Sequence, residues 1–73
     1  MNLAERDVEL LGILDRLQDQ EQEVRRRKAE AAGRGDGPMF KKWADILNGI
    51  RRAQERAETE LLAGVENALE EDR

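Results

Sequence analysis

Apolar residues recur along the first thirty residues at intervals of three, four or seven, with charged and amide side chains between them. This spacing places them on one face of an α-helix. Asn2, followed three residues later by Glu5, has the form of a capping box, so the helix is predicted over about residues 3–32. Its apolar stripe consists of Leu3, Leu10, Leu14, Leu17, Val24 and Ala31.

The same spacing returns after the only proline and predicts a second helix over about residues 38–69. Residues 70–73 are mostly acidic, oppose the dipole at a helix C-terminus and are expected to fray. The apolar pattern assigns no role to the three glycines inside the helices, Gly12, Gly49 and Gly64. The face predicted to pack against the first helix consists of Trp43, Ile46, Ile50, Ala53, Ala57, Leu61 and Ala68.

A glycine-rich stretch over residues 33–37 separates the two helical patterns and predicts a turn. Gly33 suits the left-handed position that follows a helix. Asp36 or Gly37 suits the N-cap of the next helix, with Pro38 in its first turn. The turn is therefore assigned to Gly33, Gly35, Asp36 and Pro38.

A connection this short makes the two helices antiparallel neighbours. The sequence therefore predicts an all-α protein with a single domain over residues 1–73, an antiparallel two-helix hairpin of coiled-coil type. Large residues of one helix then face mostly smaller ones of the other, which favours close packing. The pairs expected to meet are Val24 with Ile46, Leu17 with Ala53, and Leu10 with Leu61.

The composition excludes most enzyme chemistry. The chain has no Cys, His, Ser or Tyr, so the common nucleophiles and bases are missing, and we expect no catalytic residue, no cofactor and no metal site. No apolar run reaches the roughly 18 residues that cross a membrane, and the acidic start lacks a signal peptide's features. The expected location is the cytoplasm, without membrane insertion.

The charge balance bears on the class of partner. Lys and Arg number 13 against 17 Asp and Glu, a net charge of −4, which disfavours nucleic-acid binding. The basic run Arg25 to Lys28 spreads around the helix and forms no single row. We expect it to compensate the helix dipole and to pair with acids of the facing helix. A nucleic-acid-binding bundle stays the least favoured alternative.

The chain carries more apolar surface than one helix-helix contact can bury. We assign Leu11, Phe40 and Leu47 to the outside of the hairpin, whereas Trp43 belongs to the contact between the helices and also borders a partner near the turn. This surplus indicates a foreign protein partner or, alternatively, a self-associated four-helix bundle. The candidate partner-binding residues are Val8, Leu11, Phe40, Trp43, Ala44, Leu47 and Leu62.

The order of these parts resembles a known family. A Leu-rich helix with basic residues near its end precedes the turn GRGDGPMFKKW and the helix segment ILNGIRRAQERAETELL. Over about residues 10–65 this is similar to the small needle co-chaperones of type III secretion systems, the YscE-like family, which are helical hairpins with an aromatic pair after the turn. Phe40 and Trp43 match that pair, and Gly35, Asp36 and Pro38 match the turn.

The resemblance implies a function as well as a fold. Members of that family bind a tetratricopeptide-like co-chaperone, and together the two keep the needle subunit from polymerising in the cytoplasm before export. The hairpin stabilises the second chaperone and need not touch the needle subunit. This chain departs from the family by its missing tyrosines, its long basic run and its short N-terminal segment, which affects the partner surface more than the fold.

Overall fold

A computed structural model describes residues 4–71 of the chain as two α-helices, α1 over Glu5–Gly33 and α2 over Gly37–Glu71. The helices pack along their length as an antiparallel hairpin, a rod 57 Å long and 14 Å wide. The predicted all-α hairpin is thus confirmed. The predicted fraying concerned residues 70–73: α2 extends through Glu71, and positions 72 and 73 lie outside the described residues.

The start of α1 differs from the prediction. Ala4 is the N-cap, and its carbonyl oxygen accepts hydrogen bonds from the amides of Asp7 and Val8 at 2.9 and 3.2 Å. Glu5 is the first helical residue, whereas a capping box would place it third, so α1 begins two residues after the predicted start at about residue 3. The predicted cap, Asn2, and the first apolar position, Leu3, lie outside the described residues.

The turn joins a Schellman motif directly to an N-cap. The amide of Asp36 donates to the carbonyl of Ala31 at 2.9 Å, and that of Gly35 donates to Ala32 at 3.1 Å. Gly35 has a φ of 70° and is the left-handed residue, whereas Gly33 ends the helix, so the left-handed assignment to Gly33 is wrong. The Asp36 side chain then caps α2, accepting the amide of Met39 at 3.2 Å.

Buried and half-buried positions alternate at steps of three and four along both helices, which is the heptad repeat of a coiled coil. We call these positions the seam. In α1 they are Asp7, Leu10, Leu14, Leu17, Glu21, Val24, Lys28 and Ala31. In α2 they are Trp43, Leu47, Ile50, Gln54, Ala57, Leu61, Gly64 and Ala68.

A cluster of buried apolar side chains lies in the half of the seam nearer the turn. Val24, Leu47 and Ile50 form one buried cluster, and Leu17 and Trp43 pack against it. This cluster holds the two helices together by apolar burial, at about 1.5 to 3 kcal/mol for each fully buried large side chain.

Two neighbouring residues of α2 exchange the positions predicted for them. Leu47 is only 4% exposed, whereas Ile46 is 38% exposed. The seam continues through Gln54, so its three-and-four repeat selects residue 47 and passes over Ile46 and Ala53. The predicted face of α2 contained apolar residues only. It therefore could not include Gln54, the polar residue that defines the register of the seam.

Candidate protein-binding site

The hairpin has two long sides flanking the seam, and grooves between the helices identify them. One groove is lined by Leu11, Gln18 and Glu58. A second groove, nearer the turn, is lined by Arg25 and Arg51 on the same side. We call this side the front face. The opposite side, the back face, is lined by Arg6, Ile13, Ala53 and Glu60.

Three of the predicted partner-binding residues lie exposed on the front face at the open end of the hairpin, the end away from the turn. Val8 is one helical turn from Leu11 in α1, and Leu62 is one turn from Glu58 in α2. Val8 is 58% exposed, Leu11 46% and Leu62 63%. The structure therefore brings these three side chains to one end of one face, and none of them belongs to the seam.

The other predicted residues lie nearer the turn. Phe40 is 38% exposed and Ala44 is half-buried on the front face. Trp43 is half-buried in the seam, as expected for its part in holding the helices together. Leu47 lines the base of the groove near the turn but belongs to the core, so its assignment to the outside is wrong.

The basic run and the aromatic pair meet across the hairpin near the turn. The Lys28 ammonium lies 5.1 Å from the ring centre of Phe40, and the Arg27 guanidinium lies 5.5 Å from that of Trp43. Both distances are typical of cation–π contacts. The aromatic pair therefore holds two of the four basic side chains against α2, a relationship that neither segment reveals when read separately.

The acidic partners of the basic run differ from the prediction. Arg26 and Arg27 donate to Glu23 of their own helix at 2.7 and 2.9 Å, and Arg25 donates to Glu21 at 2.8 Å. These pairs are three or four residues apart, the spacing at which side chains meet on one helix. Pairing with acids of the facing helix is therefore wrong for these arginines.

Compensation of the helix dipole by the basic run is also wrong. The last turn of α1 contains no basic residue. The run ends at Lys28, before Gly33, and the dipole effect is confined to the terminal turn. The last carbonyl groups of α1 instead accept the backbone hydrogen bonds of the turn.

A polar layer crosses the middle of the seam. Glu21 accepts a hydrogen bond from the Gln54 amide at 3.3 Å, and its carboxylate also lies 4.0 Å from Arg51 of the facing helix. The hydrogen bond from Gln54 is the main cause that lowers the pKa of Glu21, and the charges of Arg25 and Arg51 add to it against partial burial. This layer bridges the helices on the front face.

Ion pairs also shift the pKa of other groups on the helix surfaces. Hydrogen bonds from Arg26 and Arg27 lower the pKa of Glu23. On the back face, hydrogen bonds to Glu9 and Glu60 raise the pKa of Arg6, whose Nε lies 3.0 Å from the Glu60 carboxylate. All of these side chains are at least partly exposed, as in structural ion pairs of a helix surface.

Charge is segregated between the two ends of the rod. Residues 22–52, the half that includes the turn, carry nine Lys and Arg against four Asp and Glu, a net charge of +5. The remaining described residues, 4–21 and 53–71, carry three Lys and Arg against twelve Asp and Glu, a net charge of −9. Although the net charge is only −4, positive and negative charge are therefore strongly separated along the rod.

The front face shows this segregation most clearly. Its rows of side chains follow the steps of three and four that run through Leu11 in α1 and through Glu58 in α2. The charged members of the turn half are all basic, and those of the open half are all acidic. The basic members are Arg25, Lys41 and Arg51, next to Lys28 in the groove; the acidic members are Asp15, Glu55 and Glu58.

The predicted set of partner-binding residues omits two apolar side chains and one cation of this face. Leu69 is exposed and Val65 half-buried, and both continue the row that contains Leu62. Arg51 lines the groove near the turn. A heptad repeat that includes polar residues in the seam would have identified all three. Once Gln54 is placed in the seam, the repeat places residues 51, 65 and 69 on the front face.

Within residues 4–71, no group of three acidic side chains is arranged to hold a metal ion, and neither helix contains a stretch long and apolar enough to cross a bilayer. Comparison of the chain with protein-family models, with curated proteins and with solved structures gave no match. The resemblance to the YscE-like family therefore depends on the turn, the aromatic pair and the helix pattern described above.

Proposed function

We propose that this chain is a non-enzymatic co-chaperone that binds a protein partner through the front face of its hairpin. The observation that carries the proposal is the group of exposed apolar side chains at the open end, Val8, Leu11 and Leu62. A small protein that leaves large apolar side chains together in water usually covers them by association. Binding would stabilise the bound partner by mass action and by masking its apolar surface.

The partner class comes from the resemblance. We propose a tetratricopeptide-like co-chaperone as the direct partner, in a cytoplasmic complex that keeps a type III secretion needle subunit unpolymerised. Stacked helix pairs of such repeats form a concave surface, and a rod 14 Å wide has dimensions that suit it. Phe40 is the expected anchor near the turn, because aromatic side chains are enriched among the residues that dominate binding energy.

The first test is affinity purification of the tagged chain from its host, with mass spectrometry of the proteins that co-purify in stoichiometric amount. We expect a tetratricopeptide-like protein and a small needle subunit. Recovery of the chain without any other protein would overturn the co-chaperone assignment.

Calorimetry with the recovered partner then locates the contact. Leu62→Gln and Phe40→Ala should each weaken binding by about 1 to 4 kcal/mol if they are buried anchors. Ile46→Gln is the matched control, since Ile46 is also an exposed apolar residue of α2 but lies off the front face. Equal losses for all three variants would show that binding does not use the front face.

Nucleic-acid binding is the weaker alternative for this molecule. Three of the four cations in the basic run already pair with Glu21 and Glu23, which reduces the charge available to phosphates. Binding of RNA or duplex DNA that falls steeply with salt and with neutralisation of the run would favour that alternative over the co-chaperone.

A further inference from the structure

We infer that the front face also binds a second copy of this chain, in antiparallel orientation, so that the turn end of each copy lies on the open end of the other. The result is a four-helix bundle with a two-fold axis across the middle of the rod. This inference does not rest on the co-chaperone assignment, because it concerns the purified chain alone.

Charge complementarity selects this occupant and this orientation. The turn half carries a net charge of +5 and the open half −9. An antiparallel copy places opposite charges together at both ends, whereas a parallel copy places like charges together at both ends. At separations within the screening length of about 8 to 10 Å, this difference favours the antiparallel dimer.

The side chains of the front face are complementary in the same orientation. α1 is centred near residue 19, so a two-fold axis at that level brings Asp15 and Glu58 of one copy level with Arg25 of the other. Val8, Leu11 and Leu62 come level with the small and aromatic residues near the turn of the second copy. Those residues are Ala29, Ala32, Phe40 and Ala44.

Large apolar side chains at one end thus meet small ones and an aromatic ring at the other. An isologous interface requires this self-complementarity, because each contact occurs twice. The available area is also sufficient. A side 57 Å long and 14 Å wide covers about 800 Å², which equals the usual area for each partner of a stable interface.

The dimer and the proposed heteromeric complex use the same surface, so a foreign partner would displace the second copy. Before the partner binds, the chain is then a homodimer in which the exposed apolar residues of the front face are covered. The two proposals fail separately, since the dimer is measured without any partner and the co-chaperone assignment is tested by the proteins that co-purify.

The decisive experiment is sedimentation equilibrium of the wild-type chain and of two charge-reversed variants. One variant combines Arg25→Glu with Lys41→Glu and leaves two acids beside Arg51 in the turn half of the front face. The other combines Asp15→Lys with Glu58→Lys and leaves two bases beside Glu55 in the open half. Arg16→Glu with Arg52→Glu is the control, because it changes the net charge as much as the first variant but lies away from the front face.

We expect the wild type and the control to sediment at twice the chain mass of 8.4 kDa. Each charge-reversed variant should dissociate at least tenfold more readily, and an equimolar mixture of the two should regain the dimer mass. Circular dichroism checks that all variants are helical. A monomeric wild type, variants that dimerise as well as the wild type, or a mixture of folded variants that stays monomeric would each overturn the inference.

Orientation is measured with a spin label. The chain has no native cysteine, so Arg34→Cys places one label at the exposed turn of each copy. Pulsed electron paramagnetic resonance should give a distance between the two labels of the dimer close to the 57 Å length of the rod. A short separation would mean that the turns lie together, and it would exclude the antiparallel dimer.

Discussion

The carboxylate of Asp7 lies against the backbone of Gly64, in the space that a side chain at residue 64 would occupy. A Cβ atom built on Gly64 would lie 2.8 Å from Oδ2 of Asp7 and 2.9 Å from its Cγ. Asp7 is only 6% exposed. The absence of a side chain at one seam position of α2 therefore accommodates a buried acid of α1.

Alanine at residue 64 should destabilise the hairpin. Although alanine favours a helix over glycine, a methyl group here requires Asp7 or the helices to move, and such overpacking costs about 1 to 3 kcal/mol. We expect Gly64→Ala to lower the free energy of unfolding measured in urea at a fixed protein concentration. Gly49→Ala is the matched control: its surroundings are open, and it should gain about 0.5 to 1 kcal/mol.

A double-mutant cycle separates the steric cause from others. When Asp7→Ala removes the carboxylate, Gly64→Ala should no longer be destabilising and should recover the ordinary preference of a helix for alanine. Additive effects of the two substitutions would contradict the close approach of Asp7 and Gly64.

Leu47 and Ile46 provide a direct test of the register of α2. Leu47 is in the buried cluster, so Leu47→Ala should lower the free energy of unfolding by about 2 to 5 kcal/mol. Ile46 is exposed, and Ile46→Ala should cost less than about 1 kcal/mol. Thermal unfolding followed by circular dichroism ranks the two variants. The reverse order would restore the apolar-only face predicted from the sequence.

The positions of Leu47 and Ile46 show how much of the fold could be predicted from the sequence. Two helices, their antiparallel arrangement and the position of the turn followed from apolar spacing, glycines and one proline, because these signals are local. The register of α2 did not follow, because it depends on Gln54, a polar seam residue whose place is explained only by its hydrogen bond to Glu21 of the other helix. Residues that meet across a hairpin are paired in space and not in sequence.

The same distinction applies to the candidate site. Exposure of Val8, Leu11 and Leu62 could be predicted, since they lie away from the apolar stripe of their helices. The contact between Lys28 and Phe40 could not be predicted, because it joins a charged run of α1 to an aromatic residue of α2 across the hairpin.

The turn should tolerate alanine at one glycine and not at the other. Gly35 is left-handed, so Gly35→Ala should cost about 1 to 2 kcal/mol of stability. Gly33 is helical with open surroundings, and Gly33→Ala should be neutral or stabilising by up to about 1 kcal/mol. Urea unfolding of the two variants at one protein concentration measures the difference. Equal effects would contradict the left-handed conformation at Gly35.

The N-cap of α2, Asp36, should contribute to stability independently of the glycines in the turn. Asp36→Ala removes the acceptor for the Met39 amide and should cost about 0.5 to 2 kcal/mol. Asp36→Asn retains a side-chain oxygen and should preserve most of the stability. If the asparagine variant were as unstable as the alanine variant, the hydrogen bond to Met39 would not be the cause.

Glu21 should make the hairpin sensitive to acid. Its pKa in the folded chain lies below the ordinary value because Gln54 donates to the charged carboxylate and two arginines lie close. The unfolded chain therefore takes up the proton first, at about pH 4.3. The stabilisation from Glu21 is complete above that pH and is lost as the pH falls through the lower pKa of the folded state. Glu21→Gln should be less stable than the wild type at neutral pH.

The difference between the wild type and Glu21→Gln should shrink as the pH falls below about 4.3, because the protonated wild-type side chain then resembles glutamine in charge. Urea unfolding from pH 7 to pH 3 gives this difference directly. Glu66→Gln, on the exposed surface of α2, is the control for the loss of one acidic charge. A stability difference for Glu21→Gln that stays constant over this range would show that the charge of Glu21 does not stabilise the polar layer.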